Sequence, residues 1–105
     1  MKDIREQTFE FALRLIKLCQ QLEGEAGVAR TPGWQLLRSG TSIGANIEEA
    51  QAGQSKPDFI SKNAIALKEA RETVYWLRLL AASKVIPAKR LPGLQGEAAL
   101  LPFSF

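Results

Sequence analysis

Very few side chains in this sequence could make or break a covalent bond, and those that could are spaced wrongly for the familiar reactions. The 105 residues contain no histidine and one cysteine. Without histidine, Ser–His and Cys–His nucleophile activation is out of reach, as are histidine-ligated zinc and the Glu-x-x-His pairs of di-iron bundles. Cys19 alone forms neither an internal disulfide nor a thiolate metal cage, and its apolar helical setting suits a buried, inert thiol. Glu48 and Glu49 are adjacent carboxylates, but neighbours on a helix point about 100° apart and cannot share one proton or one water. The glycines of Gly40-Thr41-Ser42-Ile43-Gly44 have the wrong spacing for a phosphate-cradling loop and lead to no lysine. The expectation is a protein with no catalytic residues, no metal ligands and no cofactor, acting by binding.

The residues suited to binding are amides and cations. Asn63 lies in an apolar helical seam and Asn46 flanks another, so both are expected as buried polar groups that set the register between helices. Arg38 stands among small residues, where Glu48, Glu49 or Glu69 could pair with it, or where it could be solvated. The net charge of +3 is unevenly spread. Residues 1–23 carry four positive and four negative groups, and residues 24–54 carry two against three. Residues 55–83 carry five against three and residues 84–105 three against one, so the basic excess lies in the second half. That permits contact with RNA or DNA without demanding it, because nucleic-acid-coating proteins carry a denser basic face. Lys84, Lys89 and Arg90 cluster where carboxylates are scarce and are the expected phosphate contacts of such a site; a solvated cluster at a helix end is the plainer reading.

The elements that must position these residues read as helices throughout. From about residue 3 to 23, Ile4, Thr8, Phe11, Leu15, Leu18 and Leu22 form one seam, with Phe9, Ala12, Ile16 and Cys19 beside it. The resulting face is wider than one partner helix covers. Gly24 stops this helix, and Thr31-Pro32 starts a second, over 32–53, with Thr31 as its cap. Its seam of Leu36, Gly40, Ile43, Ile47 and Ala50 runs in register through a cluster of small residues. Gly40 and Gly44, with Ile43 and Ile47, are therefore expected where another helix approaches closely, because only small side chains let two backbones come near. Ser55-Lys56-Pro57-Asp58 opens a third helix over 56–84 with a capping-box pattern. Ile60, Asn63, Leu67, Ala70, Val74, Leu77 and Ala81 form its seam, widened by Phe59, Ala66, Trp76 and Leu80, and Lys68 and Glu72 are spaced to pair on its exposed side. A short fourth helix over 91–101 is interrupted by Pro92, Gly93 and Gly96. No segment alternates like a strand, and none approaches the roughly 20 apolar residues of a membrane span. The charged start, Met1-Lys2-Asp3-Ile4-Arg5-Glu6, is unlike a signal peptide. A single cytoplasmic, all-α domain is expected: an antiparallel up-and-down four-helix bundle over residues 1–105 with a short or interrupted fourth helix.

The run Gln35-Leu36-Leu37-Arg38-Ser39-Gly40-Thr41-Ser42-Ile43-Gly44-Ala45-Asn46-Ile47-Glu48-Glu49-Ala50 strongly resembles the bacterial four-helix-bundle family named for 23S ribosomal RNA intervening sequences. The resemblance continues through Ser55-Lys56, Asp58-Phe59 and Ala66-Leu67-Lys68-Glu69-Ala70-Arg71-Glu72-Thr73-Val74-Tyr75-Trp76-Leu77, covering roughly residues 3–85. It implies an antiparallel bundle that assembles into a ring-shaped homopentamer, with no enzymatic activity attached. The family is also similar to the accessory bundle proteins of diversity-generating retroelements, which bind RNA and a reverse transcriptase; that adds a reverse-transcriptase-like protein to the partners the resemblance implies. One departure is plain: members usually carry a longer, uninterrupted fourth helix, where this chain has Pro92, Gly93, Gly96 and Pro102.

Two function classes follow. One is a self-assembling binding or scaffold module for RNA, DNA or a nucleic-acid enzyme; the other is a purely structural protein–protein module with no nucleic-acid contact. Both begin with self-association, because Trp76, Tyr75, Leu79 and Leu80 together with the second seam of the first helix leave more apolar surface than a monomer normally exposes.

Overall fold

The structure, a computed structural model, describes residues 3–23, 30–53 and 55–83. These form three helices: α1 (Ile4–Glu23), α2 (Arg30–Gln51) and α3 (Lys56–Ala82). No strand occurs among the described residues. The fourth helix expected over 91–101 lies outside them.

Local chemistry sets the helix ends. Asp3 caps α1 by accepting the Glu6 N–H at 3.0 Å, and that bond holds its carboxyl below the usual carboxylate range. Ser55 caps α3 from an extended backbone (φ −149°, ψ 160°), its hydroxyl accepting the Asp58 N–H at 3.2 Å, with Pro57 in the first turn. α2 starts at Arg30, so Thr31, expected as its cap, stands inside the helix. Pro32 is still accommodated, because the first four N–H groups of a helix have no intrahelical partner. The α2–α3 turn is tight: Gly53 donates to the Ala50 carbonyl at 3.2 Å, and a Cβ at Gly53 would sit 2.8 Å from Asp58 Oδ2 and 3.1 Å from that carbonyl.

The helices pack antiparallel. Contacts from α2 to α3 run from Ser39–Thr73 at one end to Glu49–Lys62 at the other, one helix climbing as the other descends. Between α1 and α2 the same holds, Leu15 lying by Gly40 and Thr8 by Gly44. Phe11, Leu15 and Leu18 of α1, Leu36 and Ile43 of α2, and Ala70, Leu77 and Leu80 of α3 form one buried cluster. Each large apolar side chain in it contributes roughly 1.5–3 kcal/mol relative to exposure.

The buried face of α3 differs from the expected seam. Ala66, Glu69, Ala70, Thr73, Leu77 and Leu80 are buried, while Ile60 is exposed and Asn63, Leu67, Val74 and Ala81 are only half-buried. The helix is turned by about one residue because α2 supplies polar partners for Glu69 and Thr73, so two non-apolar positions enter the interior. The second seam of α1 does not pack inward either. Phe9 is 64% exposed, Ile16 is exposed, and Ala12 and Cys19 are half-buried.

Candidate interaction surfaces

The small residues of α2 let α1 approach closely. Gly40 is buried, and a Cβ there would overlap the Leu15 Cδ1 methyl, with Phe11 Cε2 3.7 Å away. At Gly44 a Cβ would meet Thr8 Oγ1 at 3.3 Å, Thr8 Cβ at 3.4 Å and the Thr8 backbone carbonyl oxygen at 3.5 Å. Thr8 can lie so near because its hydroxyl bonds back to the Ile4 carbonyl at 2.9 Å and presents no unmet polar group. Ile43 and Ile47 are fully buried on the same helix.

The register role expected of Asn46 and Asn63 is not what the fold shows. Both are half-buried, not buried. Asn46 Nδ2 donates to the Ser42 carbonyl at 2.9 Å and Ser42 Oγ at 3.1 Å, and Asn63 Nδ2 donates to the Phe59 carbonyl at 2.9 Å. Each amide is satisfied one turn back on its own helix. A hydroxyl pair joins α2 to α3 instead: Thr73 donates toward Ser39 Oγ at 2.9 Å, and toward the Glu69 carbonyl at 2.8 Å. Both residues are fully buried, so this pair reports the α2–α3 register directly.

Beside it lies a clamp centred on Arg38. Its guanidinium donates to Glu69 at 3.2 Å, to Glu72, and through Nε to Gln35 Oε1 at 2.9 Å. Of the expected partners only Glu69 is used; Glu48 is exposed, and Glu49 pairs with Lys62 at 3.0 Å. That ion pair holds the Lys62 ammonium above the usual lysine range. Glu72 also accepts the Trp76 indole N–H at 3.0 Å, and Trp76 meets the Tyr75 ring edge-on with centroids 5.2 Å apart. Glu72 thus faces Arg38 and Trp76 in place of the expected Lys68. The chain Gln35–Arg38–Glu72–Trp76–Tyr75 runs from α2 to an exposed ring on α3. Arg38 was a visible candidate from its small neighbours; Glu72 was not, because helical spacing offered it a lysine on its own helix.

Among the described residues, exposed large apolar side chains lie on all three helices, with Trp34 on α2 65% exposed. Phe9, Leu13 and Ile16 recur along α1 at steps of four and three. Phe59, Ile60 and Ile65 lie along the start of α3, with Tyr75 and Leu79 further on. Leu80, by contrast, is buried in the core and Trp76 is half-buried. An open groove lined by Asp3, Arg5, Glu6, Phe9 and Glu48 lies at the start of α1, with Arg5 engaged by Asp3 at 3.7 Å. Among the described residues no three His, Cys, Asp or Glu side chains are grouped to hold a metal ion, and no helix is long and apolar enough to cross a membrane. Lys84, Lys89 and Arg90 lie outside the described residues.

Comparison with known proteins gives this arrangement relatives. The sequence model of the family described as 23S rRNA-intervening sequence protein matches residues 2–101. A crystal structure from Bacteroides thetaiotaomicron, described as a protein with unknown function from the S23 ribosomal protein family, superposes with a TM-score of 0.89. It is 41% identical, and the match covers 95% of this chain and 92% of that one. No curated protein matches.

Proposed function

The chain belongs to the family of 23S rRNA-intervening sequence proteins, and from that footing we propose that it works as a non-enzymatic, self-assembling scaffold whose assembled form binds RNA or DNA. The observation that carries the assembly reading is the two-sided character of α1. One side fills the core with Phe11, Leu15 and Leu18, and the other exposes Phe9, Leu13 and Ile16 at the same helical spacing. An isolated exposed leucine is ordinary, whereas a row of apolar side chains that includes a phenylalanine marks an interface.

A second set of exposed apolar side chains, Phe59, Ile60 and Ile65, sits on a different helix, spread around the start of α3. A contact of the α1 row on these α3 side chains in the next copy is heterologous, and heterologous contacts close into rings when the rotation allows. Five copies is the number that the resemblance implies. A ring also multiplies a weak polyanion contact by presenting it several times.

Light scattering at micromolar concentration tests the assembly. The expected result is a closed oligomer, reduced to a monomer of unchanged helicity by Phe9→Glu with Ile16→Glu. A monomeric wild-type protein would overturn it; a dimer would keep assembly and remove the ring. Retention of RNA at two salt concentrations tests the ligand, since phosphate contacts weaken steeply with salt. Assembly with no retention of RNA or DNA would leave a protein–protein module.

A further inference from the structure

We infer that the outer face of the second half of α3 is the polynucleotide-binding surface, with Lys68, Arg71 and Arg78 on phosphates and Tyr75 stacked on a base of a single strand. The inference rests on the nucleic-acid half of the proposed function and places the contact on the body of the bundle instead of at Lys84, Lys89 and Arg90.

The four residues follow one another at steps of three, four and three. On a helix that spacing keeps them within an arc of about 80° and along about 15 Å of axis. All four are exposed, and none of the three cations forms an ion pair with a described residue. This is unusual for their sequence, because Glu69 and Glu72 lie among them and would ordinarily neutralise Lys68 and Arg71. The tertiary structure removes both. Arg38 of α2 holds Glu69, whose side chain is 11% exposed, and also Glu72, 30% exposed, so both carboxylates are neutralised by a cation on another helix. The charge left on the outer face is therefore positive, and a partner with fixed negative charge complements it.

Tyr75 selects among anionic partners. Its ring is 53% exposed, stands between Arg71 and Arg78, and is braced edge-on by Trp76, whose indole is tied to Glu72. A fixed aromatic face flanked by cations is what a single strand uses, bases stacking while phosphates are neutralised. A membrane surface calls for the opposite arrangement, an apolar face with cations along its borders; here the cations run along the middle of the face.

The test uses the full-length protein and a fluorescent oligouridylate, read by anisotropy. Wild type should bind with a slope of log K against log salt of about −2 per chain from three cations. Lys68→Glu with Arg71→Glu and Arg78→Glu should abolish binding, with helicity and mass unchanged because all three side chains are exposed. Tyr75→Ala should weaken binding about five- to hundredfold and Tyr75→Phe should restore it, since stacking needs the ring and not the hydroxyl. That tyrosine pair decides the matter by itself if the triple variant misfolds. Wild type failing to bind would overturn the nucleic-acid reading and this surface together. Wild type binding undiminished in the α3 variants, but lost on reversing Lys84, Lys89 and Arg90, would overturn this surface alone. Anionic vesicles that bind as tightly and displace the oligonucleotide would overturn the choice of partner.

Discussion

Three glycines of one helix should respond differently to an added methyl group, because their surroundings differ while their secondary structure does not. Gly33, Gly40 and Gly44 all lie in α2, where replacing glycine by alanine gains up to about 1 kcal/mol of helix propensity in an interior position. A Cβ at Gly33 meets nothing within 4 Å, so Gly33→Ala should keep that gain, reduced by its place in the first turn. A Cβ at Gly44 meets Thr8 at 3.3–3.5 Å, tight but tolerable, so Gly44→Ala should come out near neutral. At Gly40 it overlaps the Leu15 methyl, and Leu15 is fully buried with little room to turn away. Overpacking of this kind costs about 1–3 kcal/mol, which exceeds the propensity gain and leaves Gly40→Ala destabilised by about 0–2 kcal/mol. Gly44→Leu is the harsher case. The Thr8 backbone carbonyl cannot give way as a side chain does, so the helices must part, at about 2–3 kcal/mol or more. Thermal unfolding of the four variants and wild type in one buffer resolves these differences, since 1 kcal/mol moves the midpoint of a domain this size by about 4–8 °C. Equal midpoints for Gly33→Ala and Gly40→Ala, or an unchanged midpoint for Gly44→Leu, would refute a close α1–α2 approach at these residues.

Removing the clamp by Arg38→Ala should destabilise by about 1–2 kcal/mol in urea unfolding, the lower part of the range for charged hydrogen bonds because the arginine is half-exposed. Arg38→Lys should recover only part of it, since an ammonium cannot fork across Glu69, Glu72 and Gln35; full recovery would show that charge alone matters. Ser55→Ala should cost about 1 kcal/mol in the same assay by leaving the Asp58 N–H uncapped, and Ser55→Asp should restore it. Asp3 has its carboxyl lowered mainly by the Glu6 N–H, so its contribution is complete above the ordinary carboxylate value and lost as pH falls through the lowered one. Asp3→Asn keeps an acceptor oxygen, and its stability should fall less between neutral and acid pH than that of wild type; parallel acid limbs would contradict this.

Much of the fold was legible because it is local. Asp58 three residues after Ser55, and Pro57 between them, announce a helix start through backbone chemistry that needs no tertiary partner. The seam of α2 was also readable, since Leu36, Gly40, Ile43, Ile47 and Ala50 are all buried as their spacing requires. The face of α3 was read about one residue out of turn. Periodicity sees only hydrophobicity, and Glu69 and Thr73 enter the interior on the strength of partners 31 and 34 residues away. For the same reason Asn46 and Asn63 looked like register-setting amides. Position in a seam does not reveal that a carbonyl one turn back will satisfy them.

Composition and periodicity by themselves determined that this chain is helical, that it lacks the histidines on which most acid–base and metal chemistry depends, and that its first helix carries an apolar face wider than one partner helix covers. Those properties belong to residue types and to spacings within one helix, where geometry is known in advance. Which side of α1 meets the core, and which carboxylates remain to balance the cations of α3, only the tertiary structure decided. Lys68 and Arg71 have Glu69 and Glu72 as sequence neighbours and still form no ion pair with a described residue, because Arg38 on another helix holds both carboxylates.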